Sequence, residues 1–433
     1  MYTLPELDDL EQLFDRLWPI CRSITGTGIA KSYEIISEIV PLEITKIKSG
    51  TKVDDWIIPK EWNIHEAYIE DEFKNRIIDF KDNNLHVMSY SSPIDEWLSL
   101  EDLKKNIYTL PHLPNAIPYV TSYYKEEWGL CMTHNQFSNL KNCKYHVVIN
   151  SELKNGDLKF GECFIPSTEK NAQEILLSTY LCHPSMANNE LSGPIVWTYL
   201  YKLVSNLKNR KYNYRFYIGP ETIGALSFLK KNKKILIKNC VGGYVINCCG
   251  DQGRFTYKKS GISNSISDKC ALNVLEHYAE SYESIDFFPE GSDERQYCSP
   301  GYNLPIGLIM RSMYGSYKEY HTSLDNKEFI SFNSLLESID IYFKSILSIE
   351  MNHKYINLFP YGEPNLGKRG MYSLVNEDIK KIQKERSWMM WLLNMSDGNH
   401  SLADIAYKAN CSILDLHKIA NQLTKKEILK ISN

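Results

Sequence analysis

Nothing in this chain supplies ready-made cross-links or an anchor. Eleven cysteines are scattered over 433 residues without a single C-x-x-C pair. That argues against both a disulfide framework and a cysteine zinc cluster, and fits reduced, buried thiols. The longest apolar runs, such as Met389-Met390-Trp391-Leu392-Leu393, fall far short of the roughly 20 residues a membrane span needs. The acidic start, with Glu6, Asp8, Asp9 and Glu11, shows no basic-then-apolar leader. A soluble, cytoplasmic protein without membrane contact is therefore expected. An excess of positive charge is missing too: 49 Lys plus Arg stand against 53 Asp plus Glu, a net charge of −4, so no global field exists to hold a polyanion. With 22 Gly and 17 Pro, a collagen-like or low-complexity body is excluded.

What is present reads as several globular units, about three at roughly 150 residues each. Residues 1–48 predict two amphipathic helices, Leu7, Leu10, Leu13, Phe14 and Leu17 recurring at helical spacing before Gly26-Thr27-Gly28, and Ile35, Ile36 and Ile39 after it. Gly26-Thr27-Gly28-Ile29-Ala30-Lys31-Ser32 is not a phosphate loop, because Ala30 fills the second glycine position and a helix precedes it. Residues 49–139 carry short β-like segments punctuated by prolines and predict an inserted, mainly-β domain. From 140 to 350 strands and helices alternate, with His146–Ile149 and Lys159–Ile165 expected as antiparallel strands. Glu174–Leu181, Tyr214–Ile218, Gly243–Cys249 and Leu304–Met310 are expected as buried strands. The fold class implied is α/β, a mixed, mostly parallel sheet covered by helices on both faces. Asn352–Tyr372 reads as a linker, and 363–433, with three helices and a terminal strand, as a winged helix-turn-helix.

Polar residues gather where the apolar strands end, the usual place for ligand sites on such a sheet. Four segments do this: Ser178 to Pro184 followed by Ala187-Asn188-Asn189-Glu190-Leu191-Ser192-Gly193; Gly219-Pro220-Glu221-Thr222; Glu290-Gly291-Ser292-Asp293-Glu294-Arg295; and Tyr320-His321-Thr322-Ser323-Leu324-Asp325. Two histidines and several carboxylates are the donors a zinc hydrolase needs, with one carboxylate left free to take a proton from water.

The order strand-His, A-N-N-E-L-S-G, strand-Glu, G-S-D and Y-H-T-x-x-D resembles the co-catalytic zinc aminopeptidase and glutamate carboxypeptidase superfamily. Cys21-Arg22-Ser23-Ile24-Thr25-Gly26, Cys182-His183-Pro184-Ser185 and Pro360-Tyr361-Gly362-Glu363-Pro364 look more closely like aminopeptidase-like proteins with a β insert and a C-terminal winged helix, associated with polysaccharide or other biosynthetic gene groups. The resemblance implies His183 and His321 as zinc ligands and Glu221 as the general base. Asn189, Thr222 and Asn247 stand where the superfamily has carboxylate ligands, so one zinc per chain is expected, with Glu190 as third ligand. The alternative for Glu190 is a helix N-terminal carboxylate. Asn189, Asp293, Glu294, Arg295 and Tyr320 are candidate substrate-binding residues. The function implied is a zinc-dependent aminopeptidase-like amidohydrolase acting on a peptide or amide-linked small molecule. A ligand-sensing regulatory protein with a degenerate peptidase fold, or a single-zinc cyclase or acyl transferase, is the alternative. DNA binding by the winged helix is not expected: residues 363–433 hold 11 Lys plus Arg against 8 Asp plus Glu, and Asp415 lies on the presumed recognition helix. Docking on the peptidase domain or on a second copy, through Trp388, Trp391 and Leu392, is expected instead.

Overall fold

The continuous apolar run Glu174–Tyr180 becomes a fully buried strand near the middle of an eight-stranded sheet. The computed structural model describes residues 2–371 and 379–432. The strand order across the sheet is Glu43–Lys48, Asp157–Ile165, Asn213–Gly219, Glu174–Tyr180, Cys240–Ile246, Ile306–Met310, Phe255–Lys258 and Tyr282–Ile285. The four strands from Asn213–Gly219 to Ile306–Met310 run parallel, and antiparallel strands flank them. Side chains alternate across the pleat. Ile175, Leu177, Tyr214, Phe216, Tyr244 and Ile246 face one core, closed by the helices Leu7–Leu17, Ser192–Ser205, Ile266–Tyr278 and Phe332–Glu350. Leu176, Tyr217, Val245, Ile306 and Leu308 face the other, closed by the helix Ile223–Asn239.

Several elements differ from the sequence expectation. His146–Ile149 lies inside the long strand Lys144–Lys154, which pairs with Glu61–Asp71 and Ile94–Ser99 in a separate four-stranded sheet and not with Lys159–Ile165. The strand expected over Gly243–Cys249 runs Cys240–Ile246. It holds a glycine because a Cβ on Gly243 would sit 2.0 Å from the Leu176 carbonyl oxygen at a φ of +155°. Four-residue strands at 255–258 and 282–285 are too short to show periodicity. In the expected linker, Lys354–Asn357 is the central strand of a three-stranded wing, between Asp397–Ser401 and Leu429–Ile431; Tyr372 lies outside the described residues.

The C-terminal helices pack onto the large sheet's helical layer, and their apolar residues join its core. Leu392 is fully buried there, but Trp391 is 40% exposed. The docking face is instead built by Leu402–Ala409 and Ile413–Lys425 against Ile266–Tyr278. Asn273 bonds to both the Cys411 carbonyl and the Ile413 amide, Tyr278 meets Ser412, and Lys269 pairs with Asp404 at 2.7 Å. Among the described residues, no helix is long and apolar enough to cross a membrane.

Candidate active site

At the carboxyl ends of the parallel strands the chain turns through left-handed backbone at Ser185, Thr222, Cys248 and His321, with φ of +46°, +61°, +48° and +55°. A β-branched residue such as Thr222 rarely adopts this conformation, and its appearance in one cluster of loops marks backbone held against preference. Ala187–Leu191 forms a buried π-helical turn before the helix Ser192–Ser205. Its entry amides are satisfied by Asp325: Oδ1 accepts from Ala187 and Asn188 at 3.2 and 2.6 Å, and Oδ2 from Asn189 at 2.8 Å. The last residue of the Tyr320–Asp325 segment thus shapes the loop that presents Asn189 and Glu190.

His183 is buried, and its two ring nitrogens face different partners. Nδ1 lies 2.9 Å from Glu190 Oε2 and 3.3 Å from the Cys182 sulfur, while Nε2 lies 3.8 Å from Glu221 Oε2. Glu190 has no exposure; its Oε1 accepts from the Cys182 amide at 2.6 Å and lies 3.6 Å from Nε of the equally buried Arg22. Among the described residues, Cys182, His183 and Glu190 are the one group of three His, Cys, Asp or Glu ligand atoms close enough to share a metal ion. Burial opposes the His183 imidazolium, yet the Cys182 sulfur and the Glu190 carboxylate outweigh it and raise its pKa well above the ordinary value. Burial pushes the Cys182 thiol up to about 11 and raises the carboxyl of Glu221. His321 is pushed down to about 3, by burial and then by His183.

His321 stands across from His183, ring centres 5.6 Å apart, with Tyr320 stacked on it at 3.9 Å. Tyr119, from the β-rich region, lies 5.1 Å from the His183 ring and 5.3 Å from the His321 ring, and its amide donates to the His321 carbonyl at 2.9 Å. Asn189 donates to the Tyr180 hydroxyl at 3.1 Å, and its Oδ1 is buried without a partner. Asn247 donates to Ser292, and its Oδ1 is likewise unpartnered. Asp293 accepts from the Thr222 amide at 2.8 Å, and Arg295 bonds to the Thr222 hydroxyl at 2.9 Å. Burial, then the charge of Glu221, raises the Asp293 carboxyl well above its usual range. Glu294 pairs with Lys258 at 2.8 Å, both without exposure. Asp293 Oδ2 and Glu294 Oε2 remain buried and unpartnered.

The structure thus gathers His183, Glu190, Glu221, His321 and Tyr320 with Asn189, Asp293 and Arg295 around one set of loops, while Glu294 turns back to Lys258. Sequence reasoning passed over three contributors. Arg22 sits inside Cys21–Gly26 with no chemical neighbour in sequence to mark it, Asp325 closes the Tyr320–Asp325 segment, and Tyr119 is one of 29 tyrosines with nothing to distinguish it.

Comparison with known proteins bears on the family and the fold. A family model described as a domain of unknown function (DUF4910) matches residues 11–352, and a winged helix-turn-helix model matches 353–431. A Clostridium acetobutylicum protein, whose name describes a polysaccharide biosynthesis protein with an aminopeptidase-like domain, is 46% identical over 423 residues, covering 98% of this chain and 96% of its own length. A solved Clostridium acetobutylicum structure described as a peptidase superposes with a TM-score of 0.92 at 45% identity, over 98% of this chain and 96% of that one. A zinc aminopeptidase from Bacillus subtilis gives a TM-score of 0.57 at 11% identity, over 80% and 95%. At that identity the likeness is one of fold, and the fold is aminopeptidase-like.

Proposed function

We propose that this chain, which belongs to the DUF4910 family and ends in a winged helix, is an aminopeptidase-like amidohydrolase that uses one zinc ion to cleave an amide bond near a free amine. The zinc-aminopeptidase fold supports a hydrolase at the general level. The finer reading is carried by the partly exposed Glu221 carboxylate facing Nε2 of buried His183 at 3.8 Å. In the same cluster of loops, the Asn189 and Asn247 amide oxygens are buried without a hydrogen-bond partner. Two imidazoles and neutral amide oxygens suit one cation and lack the negative charge that two would need.

His183 and His321 would hold the ion. Asn189 is the better third donor, since both Glu190 oxygens already accept hydrogen bonds from Cys182 and His183. Bound zinc would polarise the amide carbonyl. Glu221 takes a proton from the attacking water and returns it to the leaving amine. The unpartnered Asp293 Oδ2 accepts from a substrate ammonium, Arg295 meets a carboxylate, and Tyr320 walls the approach, while Glu294 stays with Lys258. The name of the Clostridium relative puts amide-bearing sugars beside aminoacyl amides as substrates to assay. A cytoplasmic setting belongs to this reading, in keeping with eleven free thiols.

Metal analysis after mild purification should find about one zinc per chain, as a single site requires. Two equivalents, or zinc retained by the His183→Ala, His321→Ala double variant, would refute the ligand set. Glu221→Gln should lose on the order of 10² to 10⁴ in turnover of aminoacyl amides with metal intact. One observation favours a non-catalytic, ligand-sensing reading. Thr222 and Asn247, at carboxylate positions, are tied to Arg295 and Ser292. A metal-free wild type that binds amines without turnover would select it.

A further inference from the structure

The Cys21–Gly26 segment delivers a guanidinium to the back of the site. Arg22 has no exposure. Its Nη1 donates to the Leu17 carbonyl at 2.6 Å, its Nε lies 3.6 Å from Glu190 Oε1, and its Nη2 has no partner among the described residues. A fully buried arginine is costly unless its charge is met, and Glu190 is the carboxylate that meets it. The local backbone is shaped for this delivery. A Cβ on Gly28 would lie 1.8 Å from the Cys21 carbonyl oxygen, so the helix Thr27–Ser37 presses directly against the main chain that carries Arg22.

We infer that Arg22 is a positioning residue: through Glu190 it sets the orientation of the His183 imidazole, so that Nδ1 is held from behind and Nε2 faces Glu221. The line of contacts is Arg22 Nε to Glu190 Oε1 at 3.6 Å, Glu190 Oε2 to His183 Nδ1 at 2.9 Å, and His183 Nε2 to Glu221 Oε2 at 3.8 Å. A carboxylate accepting from Nδ1 keeps a ring proton on that nitrogen and leaves Nε2 as the one that would give its lone pair to a cation. Arg22 acts on that carboxylate from the far side, anchored to the Leu17 carbonyl at the end of the first helix.

The test uses the full-length protein in two arms. In the first, the ring nitrogens of ¹⁵N-histidine-labelled protein are read by NMR without metal, His183 being identified by the loss of its signals in His183→Gln. Arg22→Met should shift both His183 nitrogens, Arg22→Lys should restore most of the wild-type pattern, and Glu190→Gln should reproduce the Arg22→Met pattern. In the second, zinc affinity should fall about 10- to 100-fold in Arg22→Met, the usual effect of losing a partner behind a ligand. The Arg22→Met, Glu190→Gln double variant should fall no further. It also removes the stranded charge, which keeps the comparison available should Arg22→Met alone fail to fold. The second arm rests on the zinc reading above and the first does not. If wild type binds no zinc, that reading fails while the NMR arm still decides the role of Arg22. Unchanged His183 signals in folded Arg22→Met, or in the folded double variant, would overturn the inference.

Discussion

Removing the Asp325 side chain should damage the site from beneath. Asp325 has no exposure and receives three amides of the π-helical turn. In Asp325→Ala the Ala187 amide keeps a partner, because it also donates to the Asp325 main-chain oxygen at 2.9 Å. The Asn188 and Asn189 amides do not. Two buried donors left unsatisfied cost about 1–3 kcal/mol each, or about 2–6 kcal/mol together. That is a large share of the roughly 5–15 kcal/mol by which folded domains are stable. Asp325→Asn keeps one oxygen and turns an amide NH₂ toward the other donor, so it should lose about half as much. Chemical denaturation gives the global figure. Amide exchange in peptides covering residues 187–205 gives the local one, with protection expected to drop first at Asn188 and Asn189. A loss under about 0.5 kcal/mol in Asp325→Ala, with exchange unchanged, would show that the turn does not depend on this carboxylate.

Lys258→Met should cost about 3–5 kcal/mol by stranding buried Glu294, and adding Glu294→Gln should recover most of it; equal melting of the two variants would refute the pairing. Gly243→Ala should fail to accumulate as folded protein, since its Cβ would meet the Leu176 carbonyl at 2.0 Å; a soluble variant with wild-type melting would count against that close approach. Burial raises the Glu350 carboxyl, so the unfolded chain releases that proton first. Its stabilising contribution is full below the ordinary carboxylate range and is lost as pH rises through the raised folded value; stability of Glu350→Gln against pH should lack that decline, and parallel curves would refute it. Duplex DNA should give no mobility shift at physiological salt, because Ser412 and Ile413, at the start of the presumed recognition helix, are bonded to Tyr278 and Asn273; tight, salt-sensitive binding would overturn this.

The sheet and its two helical layers were legible because long apolar runs and helical spacing survive in the sequence, as at Glu174–Tyr180 and Ser192–Ser205. His183, Glu221 and His321 could be singled out as the polar residues that follow such runs. The orientation of Asn189 against Glu190 could not. The two are neighbours, and the wider π-helical turn decides which way each points. Arg22 was invisible for another reason: it meets Glu190 across 168 positions of chain, a contact no local pattern encodes. The strand Lys144–Lys154 was misassigned because alternation reveals a strand but not the sheet it joins.

The pairing of Tyr119 with His321 has a practical consequence. Ile117 and Ser323 exchange bonds next to it, the Ile117 amide reaching the Ser323 hydroxyl at 3.0 Å and the Ser323 amide reaching the Ile117 carbonyl at 2.9 Å. The aromatic cover and one of the two imidazoles are thus stitched into a single piece, although more than 200 residues of chain lie between them. A fragment without the β-rich region would lose the cover over both imidazoles. A truncation that starts after the β-rich region would free the His321 loop along with the cover, and would also strip the edge strand Glu43–Lys48 and the helix Leu7–Leu17 from the sheet.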